Sequence, residues 1–250
     1  MISFAAAVIL TAVVLRIYTQ REHARQTYEE MQQQNSEKRQ TDTQESKEKS
    51  KTKEKKKKLD IPVDFETLQK ENPDIYAWIT IPGTDIDYPV VQDSTDNTYY
   101  LNHAADTSLS DSGAIYSEKE NAKDFDDYLT VLYGHNMKDG SMFGTLKNFV
   151  QDGVYESDPY FWIYTPERIY KYEIFNCSTV GAVSNTYTLE FGSRKEFQNY
   201  LDKALMQSQV DSSKVKVKSS DKIVTLSTCT GDEETRFVVQ GKLVRTYASR

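Results

Sequence analysis

The chain has 250 residues, enough for one medium-sized domain with appendages and a buried core. Its charge is unevenly distributed, because residues 61–250 carry 18 basic and 29 acidic side chains, whereas residues 21–60 have a net charge of +3. The acidic balance of the domain argues against a nucleic-acid partner, because phosphate binding needs a basic face. Two cysteines are too few for a disulfide-rich secreted scaffold.

The N-terminus begins with an apolar run. Residues 2–15 are apolar apart from two hydroxyl side chains, and the run extends to about 17 residues, the lower limit for crossing a bilayer. A cleaved signal peptide is the alternative, but its basic start and small-residue cleavage site are missing. We therefore predict a membrane anchor over residues 1–19. Its orientation is open at this point, since the positive-inside tendency would place the following arginines in the cytoplasm: Arg16, Arg21 and Arg25.

Residues 20–60 form a charged, low-complexity segment. It is rich in Gln, Glu and Lys, contains no Pro or Gly, and has almost no apolar residue after Met31. Such a segment cannot bury enough apolar area to offset the entropy lost on ordering. It is predicted to be a stalk, either a solvated helix or a disordered linker.

The globular domain is predicted over residues 61–250. Helix-like apolar spacing begins at Asp64 and is stopped by Asn72-Pro73, and two further helices are expected over 142–150 and 195–207. Eight segments rich in Val, Ile, Tyr and Phe and bounded by turn sequences are strand candidates: 77–81, 88–92, 113–117, 128–133, 160–164, 169–180, 223–229 and 237–247. Many short strands with few helices predict a mostly β fold, a closed or nearly closed barrel.

Cys229 ends a β-branched strand candidate that reads KIVTLSTC. A polar turn over 230–235 follows, and Arg236 begins the next strand, which makes a hairpin and places the two residues at facing strand ends. A guanidinium beside a thiol can stabilise the oxyanion that forms when the thiol attacks a carbonyl. The pair therefore favours nucleophilic catalysis.

His135 follows the strand candidate YLTVLY, and Gly134 is expected to permit a sharp turn that exposes the imidazole. Histidine is the usual partner of a catalytic thiol, since it stabilises the thiolate and protonates the leaving amine. The other two histidines are assigned less chemistry: His103 to a loop or helix end and His23 to the solvated stalk.

The segments TLSTC, LYGHNM, DNTYYL and MFGTL resemble the sortases, and within them class B. The resemblance covers about residues 62–247. It implies a closed eight-stranded β-barrel with an N-terminal helical extension and a helix before the catalytic strand. It also implies a single N-terminal anchor with the catalytic domain outside the cell, which decides the orientation left open by the arginines.

The resemblance assigns roles to individual positions. Cys229 resembles the nucleophile, His135 the acid and base, and Arg236 the oxyanion or substrate-positioning residue. Five further positions resemble residues that line the groove for the sorting peptide: Asn97, Leu101, Tyr133, Ser227 and Tyr187. No metal or cofactor is expected.

The implied reaction is transpeptidation of secreted proteins that carry a C-terminal sorting signal resembling N-P-x-T-x. The thiolate attacks the Thr carbonyl, a thioacyl enzyme forms, and an amine of peptidoglycan resolves it. A pilin-polymerising sortase and a non-catalytic, membrane-tethered peptide-binding module are the alternatives.

Cys177 is expected to be a core or flanking thiol. A Cys177–Cys229 disulfide, which would abolish the chemistry, is disfavoured.

Overall fold

The structure, a computed structural model, describes residues 2–48 and 60–248. Its α-helices and two 3₁₀ turns are α1 (Ile2–Glu48), α2 (Phe65–Glu71), α3 (Asn148–Gln151), α4 (Val154–Ser157), α5 (Arg194–Gln207), η1 (Tyr99–Leu101) and η2 (Asn185–Tyr187). Its strands are β1 (Ile75–Thr80), β2 (Asp87–Val91), β3 (Ile115–Tyr116), β4 (Leu129–Tyr133), β5 (Tyr160–Tyr164), β6 (Arg168–Gly181), β7 (Ile223–Cys229) and β8 (Thr235–Ala248).

The eight strands close into one barrel in the order β1-β2-β3-β4-β7-β8-β6-β5, with β5 pairing back onto β1. Two of the pairs, β2 with β3 and β4 with β7, are parallel, and the other pairs are antiparallel. The predicted closed barrel, the N-terminal helix and the helix before β7 are confirmed. The parallel pairing of β4 and β7 matters for function, because parallel strands end at the same edge of the sheet.

The β-branched and aromatic runs predicted most strands to within two residues. They form strands because these side chains fit a pleated surface that is buried on its inner face. The helix predicted over 142–150 is shorter than expected: the chain forms turns as far as Lys147, and α3 begins at Asn148. Met142 is one reason, since its backbone is left-handed with φ of 56°, a conformation incompatible with a helix.

One face of α1 packs on the barrel. Ala24, Tyr28, Met31 and Asn35 are buried at the three- and four-residue spacing of a single helix face. The Tyr28 hydroxyl donates to the carbonyl oxygen of Gly113 at 2.7 Å and accepts from the backbone N–H of Ala105 at 3.1 Å. The first half of the segment predicted to be a solvated stalk is therefore part of the folded domain.

The same helix makes polar contacts along its length. Arg21 forms an ion pair with Asp111, and Gln32 donates from its side-chain amide to the carbonyl oxygen of Asp87 at 2.8 Å. His23, expected to be fully solvated, lies with Nε2 3.2 Å from an oxygen of Asp106. Residues 49–59 of the predicted stalk lie outside the described residues.

The anchor predicted over residues 1–19 falls at the start of α1. Among the described residues, no helix has an apolar stretch long enough to cross a membrane, so the predicted single-pass anchor is not supported.

Candidate active site

A cavity of about 440 Å³ opens where β4, β7 and β8 end or begin, and we call it the strand-end cavity. It brings together seven of the eight residues predicted for the site: Leu101, Tyr133, His135, Tyr187, Ser227, Cys229 and Arg236. A larger cavity of about 590 Å³, between α1 and the barrel, has none of these residues in its wall.

Cys229 is the last residue of β7 and is half-buried in the wall of the cavity. The side-chain amide of Asn136 donates to the Cys229 carbonyl oxygen at 2.8 Å, which ties the end of β7 to the loop that follows His135. Both cysteines are free thiols, so the Cys177–Cys229 disulfide is excluded. Cys177 lies in β6, fully buried, as expected of a core thiol.

Arg236 lies directly opposite Cys229 in the antiparallel pairing of β7 and β8. Its Nη1 donates to the backbone carbonyl oxygens of Glu233 at 3.0 Å and Thr235 at 2.8 Å. These two bonds fix the half-buried guanidinium beside the thiol. The hairpin expected from the sequence therefore forms, with the reactive pair at the end where the two strands meet the turn.

His135 comes two residues after the last residue of β4, and its Nε2 lies 2.8 Å from the Leu101 carbonyl oxygen. A carbonyl oxygen only accepts, so Nε2 carries the proton in this arrangement, a tautomer assigned from the hydrogen bond. Among the contacts of the described residues, Nδ1 has no hydrogen-bond partner. That nitrogen is the one left to exchange a proton with a thiol or an amine.

Gly134 is needed here for a reason other than the expected one. Its φ is not in the left-handed region, and no sharp glycine turn occurs. A Cβ at this position would instead lie 2.5 Å from Cδ1 of Ile115 and 2.8 Å from Cδ2 of Phe143. Close packing of β3 and the Phe143 ring over Gly134 holds the adjacent His135 in place.

The expected peptide-lining residues form a connected wall. The hydroxyls of Tyr187 and Ser227 are hydrogen-bonded at 2.9 Å, and the rings of Tyr133 and Tyr187 stack with centroids 6.1 Å apart. Burial raises the pKa of the Tyr187 phenol, while its bond to Ser227 and the charge of Arg236 oppose that rise. The phenol is therefore neutral at physiological pH and can both donate and accept.

Asn97 is the exception among the predicted residues, because it is absent from the wall of the strand-end cavity. Its side-chain amide donates to Glu120 at 2.8 Å and its amide oxygen accepts from the backbone N–H of Lys119 at 2.9 Å. These bonds hold the segment after β3, so the structure gives Asn97 a part in shaping the neighbouring loop.

Sequence reasoning missed Tyr116 and Glu118, both of which line the cavity. Tyr116 ends β3, pairs with Tyr133 across the β3–β4 ladder, and stacks on its ring with centroids 5.4 Å apart. Glu118 follows two residues later. The available signal was their position, since they stand at a strand end as Cys229 and His135 do.

The arrangement is suited to acyl transfer. A thiol, an imidazole and a guanidinium reach one cavity from three strand ends, and each can take the role that nucleophilic attack on a carbonyl demands: nucleophile, proton carrier and oxyanion stabiliser. The adjoining wall of tyrosines and a serine offers hydrogen bonds to an extended peptide.

Comparisons with known proteins agree with this geometry. A family model described as a sortase domain matches residues 79–244. The chain is 40% identical to sortase B of Listeria monocytogenes over 184 residues, covering 72% of this chain and 74% of that protein. It is 30% identical to sortase B of Staphylococcus aureus over 184 residues, covering 72% and 75%. A solved Staphylococcus aureus sortase B–substrate complex superposes with a TM-score of 0.74 at 28% identity, covering 90% of this chain and 97% of that one.

Proposed function

The chain belongs to the sortase family, class B, whose members are cysteine transpeptidases, and we propose that it cleaves a C-terminal sorting signal resembling N-P-x-T-x after the Thr and joins the new carboxyl end to a peptidoglycan amine. One observation carries the proposal: Cys229, His135 and Arg236, from three separate strand ends, line one cavity together with Tyr133, Tyr187 and Ser227.

The first half of the reaction makes a thioester. Nδ1 of His135 takes the proton of the Cys229 thiol, and the sulfur attacks the Thr carbonyl carbon. A C–S bond forms, and the negative charge that develops on the oxygen is stabilised by Arg236. The C–N bond then breaks, and the departing amine takes a proton from His135. Nδ1 is the ring nitrogen without a partner among the described contacts, so we assign it this transfer.

The second half regenerates the thiol. An amine attacks the thioester carbonyl and loses a proton to His135, and a C–N bond forms. The C–S bond then breaks, and the released Cys229 sulfur takes that proton from His135. The position of Arg236 opposite Cys229 serves both halves, because the oxyanion forms at the same place in each. Water in place of the amine would give simple hydrolysis.

Mass spectrometry of the acyl-enzyme tests the proposal. Incubation with a library of N-P-x-T-x peptides is expected to add the mass of the acyl fragment to Cys229, and Cys229→Ala is expected to show no adduct and no cleavage. Addition of a peptidoglycan stem peptide is expected to convert the adduct into an amide product. Peptide binding without any adduct would favour the non-catalytic binding module instead.

Sortases are cell-surface proteins of Gram-positive bacteria, and we place the catalytic domain on the outer side of the membrane, where secreted substrates and wall precursors meet. Attachment through residues 1–19 remains a proposal. It is supported by exposed apolar side chains at the start of α1, among them Ile9, Leu10 and Leu15. Fractionation of cells that express the full chain or a chain lacking residues 2–18 would test it, since only the full chain is expected in the membrane fraction.

A further inference from the structure

Glu118 stands in the wall of the strand-end cavity, in the same space as Cys229, His135 and Arg236. The reaction described above gives it no role. Its side chain is half-buried, and a carboxylate in a reaction cavity influences which charged groups can enter.

The backbone at Glu118 is held firmly. The side-chain amide of Gln92, itself buried, donates to the Glu118 carbonyl oxygen at 2.8 Å and to the Ser117 hydroxyl at 3.0 Å. The backbone N–H of Asn121 donates to the same Glu118 carbonyl at 3.0 Å. Glu118 thus begins from a fixed point on the barrel, as a residue that recognises a ligand must.

The carboxylate of Glu118 has no hydrogen bond or ion pair among the described residues. The neighbouring cations are engaged elsewhere, since Lys119 donates to the carbonyl oxygen of Thr95 and Arg236 donates to the carbonyls of its own turn. Burial, and then repulsion by Glu120, raise the pKa of the Glu118 carboxyl. Its negative charge is therefore uncompensated by the protein, and a cation beside it would be favoured.

Two tyrosines add acceptors next to the carboxylate. Tyr116 and Tyr133 line the same cavity, and neither hydroxyl has a hydrogen-bond partner among the described residues. Burial first, and the charge of Glu118 second, raise the pKa of both phenols, so both are neutral and can accept a hydrogen bond. A carboxylate beside two phenol oxygens and their rings is a suitable environment for an ammonium group, which has three donors and one positive charge.

We propose that Glu118, with Tyr116 and Tyr133, recognises a primary ammonium group in the substrates of the strand-end cavity. The inference rests on the proposed transpeptidase function, and it makes Glu118 a specificity-determining residue. Such a group has two sources in this reaction: a lysine side chain at the variable position of the sorting peptide, or the acceptor amine before it loses its proton. The two sources share one chemistry, and separate measurements distinguish them.

Peptide binding tests the first source without requiring turnover. Three labelled peptides that differ only in the variable x position, carrying Lys, Gln or Glu there, are titrated against the Cys229→Ala chain and followed by fluorescence anisotropy. The Lys peptide is expected to bind about fivefold more tightly than the Gln peptide, as for a partly exposed ion pair, and the Glu peptide more weakly than both. Adding Glu118→Gln is expected to bring the Lys-to-Gln ratio to about one, and Glu118→Lys to reverse the order.

Transfer kinetics test the second source. With the Gln peptide as donor, the concentration of glycinamide that gives half-maximal amide product is measured for the unmodified chain and for Glu118→Gln. A rise of about fivefold in the variant assigns Glu118 to the acceptor amine. The first measurement is a ratio of affinities within one protein, and the second is a half-maximal concentration, so a general loss of activity in a variant does not imitate either effect.

Glu66→Gln serves as the matched control. Glu66 is an exposed carboxylate on α2 that pairs with Lys70, outside the strand-end cavity. Its loss is expected to change neither the Lys-to-Gln binding ratio nor the half-maximal glycinamide concentration. If Glu118→Gln leaves both the Lys-to-Gln binding ratio and the glycinamide concentration unchanged, the inference is overturned. Absence of an acyl-enzyme with any peptide would instead count against the proposed function, because the binding ratio is read without catalysis.

Discussion

Cys229 and Arg236 face each other directly across the β7–β8 ladder, seven residues apart along the chain and on the two strands of one hairpin. Directly opposed residues of an antiparallel pair project to the same face of the sheet, so the thiol and the guanidinium share the strand-end cavity. The turn supplies the carbonyl oxygens of Glu233 and Thr235 that hold the guanidinium. Positioning of Arg236 therefore depends on its planar, multiple-donor head group as much as on its charge.

Arg236→Lys is expected to lower kcat for peptide cleavage by about 10²-fold, the scale of losing one oxyanion donor. A lysine ammonium retains the charge but lacks the planar guanidinium geometry. That geometry lets Arg236 bind the turn carbonyls and present further N–H groups to the substrate at the same time. The measurement is steady-state cleavage of a fluorogenic sorting peptide. Arg245→Lys, at an exposed position on the same strand, is the control and should leave kcat within twofold of the unmodified chain. Equal kcat in the two variants would remove Arg236 from the proposed mechanism.

Gly134→Ala is expected to lower cleavage activity by tenfold or more, because the added Cβ would displace Ile115, Phe143 or the backbone at His135. Overpacking of this kind costs about 1–3 kcal/mol, and small displacements of a catalytic group cost much more in rate than in stability. Activity and thermal unfolding are measured together. Gly181→Ala is the matched control, since the atom nearest its new Cβ would be 3.9 Å away. A fully active Gly134→Ala chain would show that catalysis by His135 tolerates displacement of its neighbours.

Local patterns carried most of what the sequence could predict. The strands from β4 to β8 were recognisable because β-branched and aromatic residues cluster between turn sequences, and the reactive residues stood at strand ends beside glycine or polar turns. The order of the strands around the barrel was not predictable from these patterns. The parallel pairs β2–β3 and β4–β7 join segments distant in sequence, and only the closed fold shows that the ends of β4 and β7 coincide.

Two misjudged features have the same origin. Tyr28 and Asn35 lie in a segment with the composition of a solvated linker, and their burial follows from a barrel surface that composition does not reveal. In the sequence, Glu118 looks like an ordinary polar residue after a short strand. Its place in the site is apparent only from the fold, in which it lines the same cavity as Cys229, about a hundred residues later in the chain. The peptide-lining role of Asn97 stays a prediction, since its side chain bonds to Glu120 and Lys119 and it lies outside the wall of the strand-end cavity.

Tyr28→Phe is expected to destabilise the domain by about 1–3 kcal/mol, because the buried Gly113 carbonyl and Ala105 N–H both lose their partner while the ring is retained. Denaturant unfolding of the full chain measures the free energy. Tyr18→Phe on the exposed side of the same helix is the control and should change it by less than about 0.5 kcal/mol. Equal stability of the two variants would mean that α1 is not part of the cooperative unit.

The two thiols are expected to differ sharply in reactivity. Cys229 is accessible from the strand-end cavity, whereas Cys177 is fully buried, and burial, with a smaller contribution from the charge of Glu156, raises its pKa. Iodoacetamide at pH 8 should therefore add one label to the native chain, none to native Cys229→Ala, and two to the unfolded chain, as counted by intact-mass spectrometry.

The raised pKa of Cys177 also fixes the direction of a pH effect on stability. The folded state holds the thiol proton more tightly than the unfolded state, so the contribution of Cys177 is fully present below the ordinary thiol pKa of about 8.5 and is lost as pH rises above it. Native labelling at Cys177 should stay slow at pH 9, limited by unfolding rather than by ionisation, and should accelerate in mild denaturant. Rapid native labelling of Cys177 at pH 8, at a rate comparable with Cys229, would contradict its placement in the barrel wall.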